Sequence, residues 1–276
     1  MSDLVIDHGD PWWLSPNVWA VSASNPNEPS PGEVNPVVNE PYYVSANVRN
    51  TGPANIQNAT VYFYWANPSL GIITTVNAVP IGTSSVSLNT GQTANTLSLG
   101  TWTPVFANGG HECIIAAVVE ESGGMPPTVL DGNKDPAVAQ HNLGVVKIGP
   151  HMRGHFHYPF QVCNAGRVEQ SFLVAARQAP LSEIKVFLKS LLGKSELPKE
   201  QAEIEGVGFL TSVCPDRSEY KTANPVLERI KLAPFSCTGF TLVGTLRAGT
   251  GLIHVTQTID EQIVGGLSVV ILTDRG

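Results

Sequence analysis

The strongest constraint on this chain is an alternation of side-chain character, residue by residue, in short stretches cut by glycine, proline and asparagine. In Tyr42 to Asn50, Val44, Ala46 and Val48 point one way while Tyr43, Ser45, Asn47 and Arg49 point the other. In Ala59 to Asn67, Val61, Phe63 and Trp65 alternate with Tyr62 and Tyr64. A period of two places one row of side chains on each face of a strand, which is the pattern of half-buried antiparallel sheet. The turn words Asn50-Thr51-Gly52 and Asn89-Thr90-Gly91 separate such stretches. Further strands are predicted at 82–88, 93–101, 112–120 and 137–148, with Trp65 as core anchor.

The second half repeats the theme. Phe156, Tyr158, Phe160 and Val162 share one face of a predicted strand, with His155, His157 and Gln161 on the other. Only at 181–192 does the period change: Leu181, Ile184, Leu188 and Leu191 make the stripe of an amphipathic helix, with Gly193 placed to end it. The stretch 194–205 is charged and reads as exposed, and strands resume at 226–232, 238–247, 252–259 and 263–273. The predicted fold is all-β: two tandem immunoglobulin-like β-sandwiches, the second with a short helical insertion, over residues 1–148 and 149–276. The boundary is placed at Gly149-Pro150, where proline stops a ladder.

Charge separates at the same place. Residues 1–148 carry three basic side chains (Arg49, Lys134, Lys147) against eleven acidic ones, and between Glu40 and Glu112 the only formal charge is Arg49. A phosphate-binding face needs clustered Lys and Arg, so nucleic acid is not an expected partner. No apolar run is long enough for a membrane-spanning helix, so no membrane insertion is expected. Residues 1–10 lack the basic and apolar stretches of an export signal, and the compartment is left open. Cys113, Cys163, Cys214 and Cys237 form no C-x-x-C pair. Buried thiols are the ordinary reading, and one disulfide in the second half is the alternative.

The words Tyr42-Tyr43-Val44-Ser45-Ala46-Asn47-Val48-Arg49-Asn50-Thr51-Gly52, Val61-Tyr62-Phe63-Tyr64-Trp65-Ala66, His111-Glu112-Cys113-Ile114-Ile115-Ala116 and Val138-Ala139-Gln140-His141-Asn142 stand in this order. Together, and preceded by Pro16-Asn17-Val18-Trp19, they resemble the CARDB-like module, a cell-adhesion-related bacterial immunoglobulin-like domain, over about residues 12–148. The resemblance implies a sandwich used for adhesion or as a spacer at the cell surface or outside the cell, with no shared catalytic residues.

Candidate sites are few. Trp12, Trp13 and Trp19 are bulky aromatics near the start of the chain, expected either to close their own domain or to add a strand to a neighbouring copy. Exposed Tyr62, Tyr64 or Trp side chains could stack on sugar rings, which makes a carbohydrate-binding module the second reading. His151, His155 and His157 offer imidazoles to a transition metal, the basis of a third reading as a metal-dependent enzyme; solvated histidines are the plain alternative. Asp131, Asn133 and Asp135 echo a calcium loop, although Pro136 stands where that loop needs glycine and Asn142 where it needs a bidentate glutamate. His111 and Cys113 share a strand face and read as structural. There is no G-x-S-x-G, H-E-x-x-H or phosphate-binding glycine motif. The expected protein is therefore not an enzyme and needs no cofactor beyond Ca2+ or a transition metal at these sets. Its expected partners are proteins, copies of itself included.

Overall fold

The computed structural model describes residues 3–27, 36, 39–66, 69–70, 73–104, 113–148, 152–191, 198–210 and 226–273. Strand is the dominant element throughout, as the alternation requires. Two compact units divide the chain, one built mainly on Met1–Ala66 and Ile73–Asn142, the other on Asn67–Ile72, Leu143–Ser190 and Lys194–Gly276.

In the first unit, β1 (Leu4–Val5) and β2 (Val18–Ser22) lie on one side of β3 (Tyr42–Asn50), and β8 (Thr93–Leu97) lies on the other. The second sheet runs β11 (Val138–His141), β9 (Cys113–Val119), β4 (Ile56–Ala66), β7 (Val79–Leu88), all antiparallel. Between the sheets sits a core of Val44, Ala46 and Val48 from β3 with Val61 and Phe63 from β4 and Ala116 from β9. These are the apolar faces the alternation marked. Trp65 packs at its margin, half-buried. The other face of the second sheet is apolar too, because both rows of β4 and β9 are large or aliphatic. A short ribbon of β6 (Ile73–Thr74) and β10 (Val129–Leu130) brings Ile73 and Leu130 onto Tyr64, Ile115 and Ala117 there.

The second unit pairs β5 (Ser69–Leu70), β13 (His155–Cys163), β17 (Cys237–Ala248) and β15 (Glu203–Leu210) in one sheet. Its other sheet runs β12 (Leu143–Ile148), β19 (Gln262–Thr273), β18 (Gly251–Ile259), β14 (Gln170–Gln178), β16 (Val226–Leu232). Phe156, Tyr158, Phe160 and Val162 meet Val174, Val255 and Val269 in the core, and Phe160 stacks on Phe240 with Phe209 edge-on to both, centroids 5.6–5.9 Å apart. Between β14 and β15 lies α1 (Leu181–Leu191), which buries Ile184 and Leu188.

Three local expectations change. The strand read as continuous from Ala137 to Ile148 is two: β11 pairs with β9, β12 runs parallel to β19, and buried Asn142 between them gives its N–H to Trp13 O at 2.9 Å. The stretch read as exposed up to residue 205 carries the start of β15, an edge strand whose glycines and register shifts hid its period. Cys163 and Cys237 are not free thiols but a disulfide, joined at directly opposite positions of β13 and β17.

Each unit also turns on an asparagine. Asn50 accepts the Gly52 N–H on its side-chain oxygen at 2.9 Å and donates its amide to Ala54 O and Leu88 O at 2.8 and 3.3 Å. Asn164 accepts the Gly166 N–H at 2.9 Å and donates to Val168 O, Leu232 O and Ala233 O at 2.8, 3.1 and 3.1 Å. Both are buried, so these bonds satisfy carbonyls that water does not reach.

Candidate functional site

The aromatic segment at the front belongs to its own unit. Leu14 bridges to His141, Ser15 N–H donates to Gln140 O at 2.9 Å, and Ile6 N–H donates to Pro136 O at 2.9 Å, so residues 6–15 seal the β11 edge. Trp13 and Trp19 are each 3% exposed, and Trp12 stands edge-on to Trp13 with centroids 5.6 Å apart. Their backbone is therefore engaged in cis. The indole N–H groups of Trp12 and Trp19 have no hydrogen-bond acceptor among the described residues.

Tyr64 is 6% exposed and packs under the β6–β10 ribbon, where burial raises its phenol pKa. Tyr62 is half-buried, and its hydroxyl donates to Gly124 O at 2.6 Å. Tyr64, Trp13 and Trp19 are buried, so their rings do not present the open flat face that stacking on a sugar requires.

His155 and His157 are exposed on one face of β13, as the period demands, and His155 Nδ1 lies 2.9 Å from Thr245 Oγ1 across the ladder. His151 lies outside the described residues, as do His111 and Cys214. In the Asp131 loop the carboxylates are engaged as turn caps. Asp131 accepts the Asn133 N–H at 3.0 Å and sits 3.5 Å from Lys134 Nζ, and Asp135 accepts the Ala137 N–H at 2.9 Å. Among the described residues no group of three His, Cys, Asp or Glu side chains is arranged to hold a metal ion. His8 lies against this loop with its ring beside Gly132, and burial lowers its pKa although Asp7, Asp135 and Asp131 pull it up. His141 is lowered by burial as well, partly offset by the bond from Nδ1 to Ser15 O at 3.0 Å. Because a carbonyl only accepts, that nitrogen carries the proton.

One constellation escaped the sequence reading. His254 of β18 is 2% exposed, with Nδ1 2.7 Å from Ser268 Oγ and Nε2 2.6 Å from Glu183 Oε1 in the first turn of α1. Arg177 reaches the same carboxylate at 3.4 Å. The order serine, histidine, glutamate is that of a nucleophile, a base and its orienting acid. Ser268 is 0% exposed, however, so no substrate atom reaches its oxygen while α1 is in place. The arrangement fastens α1 to the sheet. A histidine within the apolar strand Gly251–Ile259 was the signal that could have marked it. Cys113 is a buried thiol whose pKa burial drives far up, out of the nucleophilic range.

No family model matches the chain, and no curated protein matches it. Among solved structures, the chain is similar to a CARDB domain from Pyrococcus furiosus solved in complex with di-metal ions: 21% identity, 45% of this chain and 82% of that one, TM-score 0.27. The CupB6 tip adhesin from Pseudomonas aeruginosa matches at 8% identity over 98% of this chain and 97% of that one, TM-score 0.22. Red sea bream transglutaminase matches at 12% identity over 89% of this chain, which spans 31% of that enzyme, TM-score 0.24. The all-β assignment rests on the sheets and registers themselves.

Proposed function

We propose that this chain is a non-catalytic structural or adhesive module that works through protein–protein contacts, contacts with copies of itself included. The observation that carries this reading is where its reactive and aromatic groups go. Asp131 and Asp135 cap turns, Ser268 and His254 hold a helix, Cys113 is sealed, and Trp13, Trp19 and Tyr64 lie inside. What β3, β4, β7 and β8 present instead is strand surface with Arg49 as their one formal charge. Such a surface offers little electrostatic resistance to association. The Cys163–Cys237 disulfide supports work in an oxidising compartment, where such bonds persist.

The test is mass in solution. Light scattering over a concentration series should show a weight-average mass that rises with concentration, and electron microscopy should show the assembled species. A constant monomer mass at every concentration overturns self-contact.

A further inference from the structure

The last rung of β13 on β17 is Cys163 opposite Cys237, one residue before the Asn164 turn, and the two are joined covalently. The first unit ends β3 on β8 in the same way, one residue before the Asn50 turn, with Arg49 opposite Thr93 and no covalent link. Strand pairing at this place therefore does not need the bond. In the second unit the same end is also held without it. Asn164 N–H donates to Ser236 O at 2.8 Å, its side-chain amide reaches Leu232 O and Ala233 O, and Phe235 N–H donates to Gly166 O at 3.3 Å. Gln257 Nε2 donates to Cys163 O at 2.9 Å from β18. These bonds tie β13 and its turn to the chain that leads into β17, so they keep the two strands in register whether or not sulfur joins them.

The two cysteines meet water unequally. Cys163 is 9% exposed and buried, whereas Cys237 is exposed, just beyond Ala233, Pro234 and Phe235, which are exposed as well. Thiol–disulfide exchange needs a thiolate to reach one sulfur while the other leaves, so access decides which sulfur is attacked. Exposed disulfides are the labile and regulatory ones, and buried ones resist. Here one end of the bond is open and the other is closed.

We propose that Cys163–Cys237 is a reversible link, opened and closed by an external dithiol that enters at Cys237 Sγ. A thiolate of the dithiol bonds to Cys237 Sγ, the S–S bond breaks, and its electron pair leaves on Cys163 Sγ, which takes a proton from water. The second thiolate of the dithiol then attacks its own partner sulfur in the mixed disulfide and releases Cys237 as a thiolate. The dithiol ends oxidised to a disulfide and the protein's bond ends reduced, two electrons having passed. The same steps run backwards when the reagent arrives oxidised. The second unit thereby has two folded states, one fastened covalently and one fastened by hydrogen bonds alone, and the first unit is the same in both.

The test uses the full wild-type chain in buffer without denaturant. Dithiothreitol should open the bond there, and the reduced chain should keep its native circular dichroism. A short pulse of iodoacetamide, read peptide by peptide by mass spectrometry, should then label Cys237 about tenfold or more faster than Cys163. In concentrated urea the two should label at the same rate. Oxidised dithiothreitol, added after the reduced reagent is removed, should restore the bond and with it the original urea midpoint. A bond that opens only once urea has unfolded the chain, equal labelling of the two cysteines in native buffer, or loss of the native spectrum on reduction would each overturn the proposal.

Discussion

The two units pair their strands in the same pattern and fasten them differently. β3–β8, β4–β7, β4–β9 and β9–β11 in the first unit have counterparts in β13–β17, β14–β16, β14–β18 and β18–β19 in the second, every pair antiparallel. The asparagine turns correspond in three bonds: Asn50 and Asn164 each hold a glycine N–H two residues on, a carbonyl four residues on, and the carbonyl of a leucine that ends the edge strand, and Asn164 adds a fourth to Ala233 O. Even the backbone agrees, since Asn50 N–H donates to Gln92 O and Asn164 N–H to Ser236 O, each just ahead of the pairing strand. Immediately before the asparagines the units part. The cross-strand pair is Arg49 and Thr93 in one, with Arg49 held by Asp7, and the Cys163–Cys237 disulfide in the other. The shared turn is what the topology needs, and the neighbouring pair is where each unit was free to choose its fastening.

The largest way to break this comparison is to remove the covalent fastening. Cys163→Ala with Cys237→Ala opens a link across 74 residues, and loop entropy puts the loss at about 4 kcal/mol for the second unit. The first unit should not respond. All five tryptophans, Trp12, Trp13, Trp19, Trp65 and Trp102, lie in the first unit, so tryptophan fluorescence follows its unfolding while circular dichroism follows both. The double variant should lower a denaturation midpoint by circular dichroism and leave the fluorescence midpoint in place. Equal shifts of both would end the idea of separate fastenings. The converse, Arg49→Cys with Thr93→Cys, should form a disulfide in the first unit, seen as loss of free thiol by mass spectrometry.

The asparagines come next. Asn→Ala at either turn leaves buried carbonyls without a donor, at roughly 1–3 kcal/mol for each such group. Asn164→Ala should cost about 3 kcal/mol and Asn50→Ala about 2 kcal/mol, because Asn164 serves three carbonyls and Asn50 two. Each loss should appear only in its own unit's transition in urea. An Asn50→Ala variant with the wild-type fluorescence midpoint would show that the turn holds without its side chain.

Much of this architecture was legible in the alternation of small groups of residues. β3, β4 and β13 stand where Val44-Ala46-Val48, Val61-Phe63 and Phe156-Tyr158-Phe160 placed them, because one buried face imposes a period of two. What was missed depends on contacts distant in sequence. Asn164-Ala165-Gly166 repeats the Asn50-Thr51-Gly52 turn, yet a word of three residues with different neighbours does not reveal itself as a repeat. The register of β13 on β17 is what brings Cys163 to Cys237, and no local pattern carries a register. Asn142-Leu143-Gly144 has the Asn-x-Gly form of the words at 50–52 and 89–91, and it was the local signal that could have separated β11 from β12. For the candidate sites, alternation told which side of a strand Tyr64 faces, not that this outer face is covered.

The smallest effect is a difference in response to acid. In the first unit burial lowers the pKa of both His8 and His141 below the ordinary 6.5. Between the lowered values and 6.5 the unfolded chain binds more protons than the folded one, so stability rises with pH through that window. The contribution is complete above about pH 6.5 and is lost as pH falls through the folded values. Farther down, Asp7, held below its ordinary 3.8 chiefly by the hydrogen bond from Arg49, adds a loss of the same sign as it protonates, reduced by its exposure to water. Acidification from pH 7.5 to 5 should therefore destabilise the fluorescence-reported unit, read as a lower urea midpoint by fluorescence. His8→Gln with His141→Gln should flatten that slope whatever it does to the midpoint at neutral pH. An unchanged slope would place the acid response elsewhere, and the difference between the units would then lie in their fastenings alone.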